Sequence, residues 1–210
     1  MLKCSNLTYK IANKAIINDI NFSLKAGEHL LVLGPSGSGK TTLLCLLAAL
    51  TKPSSGSIEY NGTDIYALDS EKRDQFRGKN LGIIFQNFHL IKSLNLYQNI
   101  ALANQMLGNE IDQKTIYRYI KELGLEDKIT EKISTLSSGQ AQRVALIRSF
   151  INKPKWILCD EPSSALDDKN ADKLLKLLKQ EAKKNNSSLI IVTHDKRVKS
   201  HFKNNKILEL

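Results

Sequence analysis

Short apolar runs alternate with amphipathic segments in the first and last thirds of the chain. The runs have the length of buried strands, and the segments between them repeat apolar residues at the spacing of a helix. Residues 168–184, for example, carry one apolar stripe surrounded by lysines. This alternation predicts an α/β domain built around a largely parallel sheet. The predicted strands are residues 30–33, 58–60, 81–85, 156–159, 189–193 and 207–210.

The middle of the chain has a different pattern. From about residue 95 to residue 152, apolar side chains such as Ile116, Tyr117, Ile120 and Leu123 recur at helix spacing. No run in this segment has the pattern of a strand. We therefore expect an all-helical insert between two strands of the sheet.

The composition of the 210-residue chain narrows the class of protein. Its 41% hydrophobic and 25% charged residues are typical of a globular domain. The longest apolar run, residues 43–50, is much shorter than the roughly 20 residues of a membrane span. The amino terminus does not resemble an export signal, so we expect a cytosolic chain that does not cross a bilayer alone. Cys4, Cys45 and Cys159 lack metal-ligand spacing and are expected to be free thiols.

The net charge of +10 is concentrated toward the carboxyl end. Residues 169–210 hold 11 basic and 4 acidic residues, so this segment contributes +7. A basic face can bind nucleic acid or an anionic membrane. Proteins that read nucleic acid rely on arginine, however, and 25 of the 31 basic residues are lysines. We expect a solvated lysine-rich face and no nucleic-acid partner.

A glycine-rich loop joins the predicted strand 30–33 to a predicted helix over residues 42–50. It matches the phosphate-binding pattern of two glycines around four residues, followed by Lys and Ser or Thr. Backbone N–H groups and the helix dipole would converge on an anion there. Lys40 would contact the β- and γ-phosphates, Thr41 would bind Mg²⁺ and Thr42 would lie near the α-phosphate. The nucleotide-binding residues here are Gly34, Pro35, Ser36, Gly37, Ser38, Gly39, Lys40, Thr41 and Thr42.

Two acidic residues follow the predicted strand 156–159. Asp160 can hold Mg²⁺, directly or through water, and Glu161 can polarise a water molecule in line with the γ-phosphate. Adjacent carboxylates at the tip of an apolar strand are costly unless a cation or water serves them. A phosphate loop alone fits a kinase, a GTPase, a helicase or a transport ATPase, so further motifs must decide the class of enzyme.

A third motif lies between these two. Leu136, Ser137, Ser138, Gly139 and Gln140 precede a helical pattern. Together with the phosphate loop and the acidic pair, this motif resembles the ATP-binding-cassette (ABC) family, whose signature reads Leu-Ser-Gly-Gly-Gln at this place. The likeness runs from about residue 2 to the end of the chain. Ser138 replaces the first of the two glycines. Serine favours a helix N-cap and its hydroxyl could bond the ligand or the first turn, whereas its Cβ restricts the backbone; we expect activity to survive with an altered affinity for the nucleotide sandwich.

The resemblance implies roles for further residues. Tyr9 would stack on adenine, and Gln86 would sense Mg²⁺ and the membrane partner. His194 would contact the γ-phosphate, and residues 164–167 would form a loop that crosses to the other subunit. The resemblance thus implies a catalytic set of Glu161, His194 and Gln86, a metal set of Thr41, Gln86 and Asp160, and a second nucleotide-binding set of Ser137, Ser138, Gly139 and Gln140.

The resemblance also implies a fold and an assembly. We expect a single domain over residues 1–210. Residues 1–86 and 153–210 would form a P-loop nucleotide hydrolase core with an N-terminal antiparallel β part, and residues 87–152 a helical signature subdomain. Two chains would pair head to tail around two ATP molecules with Mg²⁺, and hydrolysis would open the pair. An integral membrane subunit of the permease type would dock near Gln86, at the cytoplasmic face of the bacterial inner membrane.

Residues 85–90 and 94–100 look like one branch of the family, which contains lipoprotein-releasing, macrolide-exporting and cell-division ATPases. Lipoprotein release or macrolide/peptide-type export is the expected process, with cell-division mechanotransmission as an alternative. A soluble cassette protein acting on nucleic acid or ribosomes is supported by the basic carboxyl end, but a single cassette with an insert of ordinary length argues against it. A nucleotide-gated binding module without turnover is suggested by Ser138 and disfavoured by Glu161 and His194.

Overall fold

The computed structural model describes residues 1–164, 166–202 and 205–210, and their strands form two sheets. The strands are β1 (Leu2–Ile11), β2 (Lys14–Leu24), β3 (Leu30–Leu33), β4 (Ser55–Tyr60), β5 (Thr63–Asp64), β6 (Leu81–Ile84), β7 (Trp156–Asp160), β8 (Ser188–Val192) and β9 (Lys206–Glu209). The antiparallel sheet has the order β2-β1-β4-β5, and the parallel sheet has the order β6-β7-β8-β3-β9. The predicted α/β class with an antiparallel amino-terminal part is confirmed.

Helices cover the parallel sheet and fill the middle of the chain. They are α1 (Lys40–Leu47), α2 (Ser70–Asn80), α3 (Leu96–Gln105), α4 (Gln113–Glu122), α5 (Ser138–Phe150), α6 (Asp168–Asn185) and α7 (Lys196–His201). Single 3-10 turns lie at Glu126–Lys128 and Ile133–Thr135.

The parallel sheet forms the interior of the protein. Every residue of β3, β7 and β8 is buried, so these strands read as continuous apolar runs. That pattern is expected for strands that are covered on both faces. Because neighbouring strands run parallel, the loops after β3, β6, β7 and β8 leave the same edge of the sheet. Ligands of open α/β sheets bind at this edge.

The middle segment is helical, as predicted, but its apolar stripe differs in one residue. Ile116, Tyr119 and Ile120 of α4 are buried, whereas Tyr117 is 48% exposed. The reason is geometric: successive residues of a helix are rotated by about 100°, and the face centred on Ile116, Tyr119 and Ile120 leaves position 117 at its side. The buried side chains of this segment form one cluster with those of the sheet, so the division into subdomains at residues 86/87 and 152/153 stays a prediction.

Several boundaries differ from the predicted ones by a few residues. The first helix begins at Lys40, two residues early, because Gly39 in the left-handed region (φ 95°) ends the loop there. The strand predicted at 189–193 lies at Ser188–Val192. The sequence did not indicate α2, which has no buried residue and therefore no apolar stripe; its amino end is capped by Asp69.

The three cysteines are free thiols. Cys4 and Cys159 are buried, and burial raises the pKa of both thiols, so they remain protonated. Their chemistry is that of small apolar side chains packed in the core. Among the described residues, no helix has the length and apolar character that a membrane span requires.

Close packing between α5 and β6 gives a test of the fold. A side chain at Gly82 would overlap the carbonyl oxygen of Ser149, whereas one at Gly78, in α2, would meet only the flexible end of Leu107. We expect Gly82→Ala to lower the free energy of unfolding by about 2–3 kcal/mol through overpacking. The matched control Gly78→Ala should be neutral or stabilising, because alanine favours a helix by about 1 kcal/mol over glycine. Urea unfolding measures both, and equal effects would contradict the packing of this strand.

Candidate active site

The phosphate loop connects β3 to α1. Gly37 and Gly39 have φ values of 81° and 95°, in the left-handed region that favours glycine. At Gly39 a Cβ would also come within 2.8 Å of the Ile16 carbonyl oxygen, so both conformation and space require glycine there. The loop therefore turns directly into the amino end of α1, whose free N–H groups and dipole form an anion site.

The Lys40 side chain folds back over this loop. Its Nζ donates to the carbonyl oxygens of Gly34 at 2.8 Å and Pro35 at 2.7 Å. These contacts hold a positive charge beside the anion site. A phosphate group that enters the loop would compete with these carbonyls for the ammonium group, because charge-assisted hydrogen bonds are the stronger ones.

The two residues predicted to hold Mg²⁺ at this position are in contact. Thr41 Oγ1 donates to Asp160 Oδ2 at 2.8 Å across the gap between α1 and β7. Asp160 is buried, and burial raises the pKa of its carboxyl while the hydrogen bond from Thr41 opposes the shift. A hydroxyl and a poorly solvated carboxylate are donors that Mg²⁺ prefers, so the residues present fit this ion.

Glu161 is held from two sides. Glu161 is only 7% exposed. Thr193 Oγ1 donates to its Oε2 at 2.8 Å, and the His194 backbone N–H donates to its Oε1 at 3.1 Å. His194 Nδ1 lies 2.6 Å from the same Oε1, while the imidazole is 77% exposed. The carboxylate is thus oriented by buried partners, and the histidine extends from it toward solvent.

The backbone at Glu161 adopts an uncommon conformation. Its φ of 50° lies in the left-handed region, which costs free energy for a residue with a side chain. Neighbouring hydrogen bonds hold it there: Ser164 Oγ donates to Glu161 O at 3.0 Å, and Gln142 Nε2 donates to Pro162 O at 2.8 Å. Gln142 belongs to α5, so this helix helps to fix the turn that follows β7.

A cleft of about 460 Å³ brings most of the predicted residues together. It is lined by Ile16, Ser36, Gly37, Gly39, Lys40, Thr41, Thr42, Gln86, Asp160, Glu161 and His194. Tyr9 is not among the lining residues; it lies half-buried in β1, paired across the sheet with Ile17, the neighbour of the lining residue Ile16. Its contact with a base stays a prediction. The loop that follows Gln86 is held by Arg148, which donates to the carbonyl oxygens of Phe88 and His89.

The signature residues lie outside this cleft, at the amino end of α5. Ser137 caps the helix: its Oγ accepts from the Gln140 N–H at 3.3 Å, and Gln140 Oε1 accepts from the Ser137 N–H at 2.8 Å. The cap is therefore Ser137 and not Ser138, and a contact of the Ser138 hydroxyl with a ligand stays a prediction. Ser138 is the first helical residue, its hydroxyl is exposed, and it makes no hydrogen bond within the described ranges.

The predicted crossing loop, residues 164–167, is described except for Ala165, which lies outside the described residues. Asp167 caps α6 by accepting from the Asn170 N–H at 3.0 Å. The sequence reasoning missed three residues that build this region: Thr193, Gln142 and Arg197. A threonine directly before the predicted histidine was the one available signal, because a hydroxyl at a strand end can reach a neighbouring carboxylate.

Known proteins resemble this chain in sequence and in fold. Residues 17–164 match the family model described as ABC transporter. The lipoprotein-releasing system ATP-binding protein LolD of Wigglesworthia glossinidia brevipalpis is 38% identical, over 100% of this chain and 93% of that protein. The macrolide export ATP-binding/permease protein MacB of Vibrio parahaemolyticus is also 38% identical, over 94% of this chain and 31% of that protein. A putative hemin import ATP-binding protein, HrtA of Staphylococcus aureus, is 36% identical over 90% of this chain and 86% of that protein.

Two solved structures share the fold. One is a dimeric ATP-binding cassette in a post-hydrolysis state, bound to ADP and Pi, with a TM-score of 0.91 and 32% identity over 100% of this chain and 94% of that one. The other, a dimeric bacterial ABC transporter cassette, has a TM-score of 0.89 at the same identity and coverage.

Fold, phosphate loop and acidic strand end define a nucleotide-hydrolysing cassette of the P-loop class. With a family match over residues 17–164, the chain belongs to the ABC transporter family. It is an ATP-binding subunit that hydrolyses ATP. Its relatives include proteins named as ATP-binding, and the similar cassette is bound to ADP and Pi after hydrolysis.

The buried carboxylate of Asp160 gives a test by pH and ligand. Because its folded pKa is raised, the folded chain binds this proton more tightly than the unfolded chain, and stability falls as the pH rises through the folded pKa. We expect Asp160→Asn, whose amide oxygen can still accept from Thr41, to melt higher than wild type at neutral pH without nucleotide, and the gap to narrow in acid. Thermal melting with and without Mg-ATP measures both effects. Mg-ATP should stabilise the wild type and not the variant; equal stabilisation would exclude Asp160 as a metal ligand.

Proposed function

We propose that this chain is the ATPase subunit of a bacterial inner-membrane ABC complex and that it works as a head-to-tail homodimer around two Mg-ATP molecules. The observation that carries the dimer is the separation of two phosphate-binding features on one chain. The cleft contains the phosphate loop, whereas Ser137, Ser138, Gly139 and Gln140 lie outside its lining, at an exposed helix end.

The amino end of α5 suits a phosphate that another chain holds. Backbone N–H groups at a helix end bind anions, and the Ser137 hydroxyl is at the surface beside them. The phosphate loop of the same chain already offers one wall to its nucleotide. A second chain, turned head to tail, supplies the other wall to each ATP and receives one in return. The dimeric state of both similar cassettes supports this arrangement.

Within each site, the described contacts suggest how the residues divide the work. Lys40 leaves the loop carbonyls and neutralises the β- and γ-phosphates. Glu161 accepts a proton from the attacking water, and Thr193 keeps the carboxylate oriented for this step. His194, exposed beside Glu161, donates to the γ-phosphate.

The remaining site residues hold the metal and the base. Thr41, Asp160 and Gln86 would hold Mg²⁺, which neutralises phosphate charge when bound. Gln86 is exposed just after β6 and lines the cleft. Binding or loss of the metal would therefore move Gln86 and the loop that follows it. Tyr9 of β1 would stack on adenine through its half-buried ring.

A groove beside the Gln86 loop fits the membrane partner. Its volume is about 660 Å³, and α2, β6, α3 and α5 form its walls. Met106 at its rim is 79% exposed. The floor is apolar and the walls carry both charge signs, which fits a short amphipathic helix of a membrane subunit. The lining includes Leu81, Ile83, Leu102, Ala103, Leu107, Glu71, Asp74, Arg77 and Arg148.

Arg148 links this groove to the nucleotide. It lines the groove and donates to the carbonyl oxygens of Phe88 and His89 at 2.7 and 2.8 Å, in the loop that Gln86 begins. A partner bound in the groove would therefore contact Arg148, and a shift of Arg148 would move the loop that follows Gln86 in the cleft. The relatives named for lipoprotein release and macrolide export support lipoprotein release or macrolide/peptide-type export as the process driven, at the cytoplasmic face of the membrane.

The dimer is tested by blocking hydrolysis. Glu161→Gln keeps the shape of the side chain and removes the base, so ATP should accumulate in the closed pair. We expect the variant to elute as a dimer in size-exclusion chromatography with Mg-ATP and as a monomer with Mg-ADP. The double variant with Lys40→Ala should stay monomeric under both conditions. A Glu161→Gln chain that remains monomeric at saturating Mg-ATP contradicts the composite sites.

The docking groove is tested in the membranes of the source cells. A photo-crosslinking amino acid in place of Met106 should capture an integral membrane protein, which mass spectrometry identifies. The matched control places the same amino acid at Ile207 in β9, which is similarly exposed and lies outside the groove. Crosslinks from position 106 only to soluble proteins, or equal capture from both positions, would contradict the groove as the docking surface.

A further inference from the structure

The guanidinium of Arg197, in α7, donates hydrogen bonds through all three of its nitrogens. Nε donates to Asp195 Oδ2 at 2.9 Å, and Nη2 lies 2.8 Å from the same oxygen and donates to Ser163 O at 3.1 Å. Nη1 donates to Leu166 O at 3.1 Å and to Asp168 Oδ1 at 2.9 Å. Because a guanidinium is planar and rigid, these bonds fix the groups around it relative to one another.

Three of the acceptors belong to residues that follow β7, up to the first residue of α6. Ser163 and Leu166 are bound through backbone carbonyls, and Asp168 through its side chain. The Ser163 hydroxyl also donates to Asp195 Oδ2 at 2.6 Å, so the segment is attached to the Asp195–Arg197 pair at several points. Leu166 belongs to the loop of residues 164–167 that the resemblance assigns to the contact with the other subunit, and Ser163 and Asp168 flank that loop.

The same pair is linked to the catalytic end of β8. The Asp195 backbone N–H donates to Thr193 Oγ1 at 2.9 Å, and Thr193 Oγ1 donates to Glu161 Oε2 at 2.8 Å. Thr193 is fully buried, so water does not compete for these bonds. A continuous series of hydrogen bonds therefore runs from Arg197 to the Glu161 carboxylate.

The charges of the pair keep this series intact over the working pH range. Burial raises the pKa of the Asp195 carboxyl, but hydrogen bonds from Arg197 and Ser163 outweigh it and lower that pKa to about 2. Asp195 is thus an anion at neutral pH. The hydrogen bond to Asp195 in turn raises the pKa of Arg197, which stays cationic.

We propose that Arg197 is a positioning residue for ATP hydrolysis, which couples the segment that contains Ser163, Leu166 and Asp168 to Glu161 and His194. A displacement of that segment by the partner chain reaches the base through Asp195 and Thr193. Closure of the dimer thereby orients the Glu161 carboxylate for catalysis. The inference rests on the proposed head-to-tail dimer and adds to it a residue that the family motifs do not include.

The test compares three substitutions. Arg197→Gln removes the guanidinium, and Arg197→Lys keeps the charge but cannot reproduce its planar set of donors. Arg118→Gln is the matched control, because Arg118 in α4 is similarly exposed and also contacts two carboxylates, Glu122 and Glu181. For each full-length chain, thermal melting, ATP affinity of the monomer, kcat, KM and the Hill coefficient are measured.

Arg197→Gln should lower kcat by about 10- to 100-fold, the range expected when a catalytic group is misplaced by about an ångström. Its Hill coefficient for ATP should fall toward one, while ATP affinity of the monomer stays within about twofold of wild type, because the phosphate loop is untouched. Arg197→Lys should recover only part of kcat. In the Glu161→Gln background, Arg197→Gln should raise the ATP concentration needed for dimerisation. Arg118→Gln should leave kcat and cooperativity unchanged.

Different outcomes distinguish the failures. If wild type dimerises and hydrolyses ATP, and Arg197→Gln changes only the melting temperature, Arg197 is structural and the inference is wrong. A wild type without ATP-dependent dimerisation overturns the proposed dimer and this inference with it. Should Arg197→Gln not fold, Asp168→Ala replaces it: that side chain is 95% exposed, so the fold tolerates the change, and the loss of its contact with Arg197 should lower kcat about two- to fivefold. An unchanged kcat in that variant also overturns the inference.

Discussion

The site is organised around two neighbouring carboxylates buried at the end of one parallel strand. Asp160 and Glu161 are each shielded from water, and an unserved buried charge costs several kcal/mol. The two carboxylates have different hydrogen-bond donors: the Thr41 hydroxyl donates to Asp160, while the Thr193 hydroxyl and the His194 backbone N–H donate to Glu161. This division leaves one carboxylate suited to a cation and the other to a water molecule. Adjacent residues of the same type thereby acquire different chemistry from their surroundings.

The loops around these carboxylates are not independent, because long-range side-chain contacts join them. Gln142 ties α5 to the turn after Glu161, and Arg148 ties the same helix to the loop that follows Gln86. Arg197 ties the segment after that turn to the end of β8. A helix with exposed signature residues at one end is thus connected to both the cleft and the groove. Such connected, rigid elements are what a nucleotide-driven change of state requires.

Much of the molecule could be predicted from local sequence patterns. Apolar runs gave the strands of the parallel sheet, helix spacing gave the helical middle segment, and glycine spacing gave the loop over residues 34–41. These features depend on interactions within a few residues, such as the left-handed conformation at Gly39 or the alternation of buried and exposed positions. Where local signals were weak, the prediction failed: α2 buries no side chain, so no apolar stripe indicated this helix.

The tertiary structure alone decided which distant residues meet. Thr193 and Glu161 are 32 positions apart, and Thr41 and Asp160 are 119 apart. Their contacts follow from the strand order β6-β7-β8-β3-β9, which aligns the carboxyl ends of separate strands at one edge. No periodicity within the chain specifies that order. The sequence by itself therefore determined the elements and the chemistry that each loop carries; the packing of parallel strands decided how those loops combine, because a hydrogen bond depends on distance in space and not along the chain.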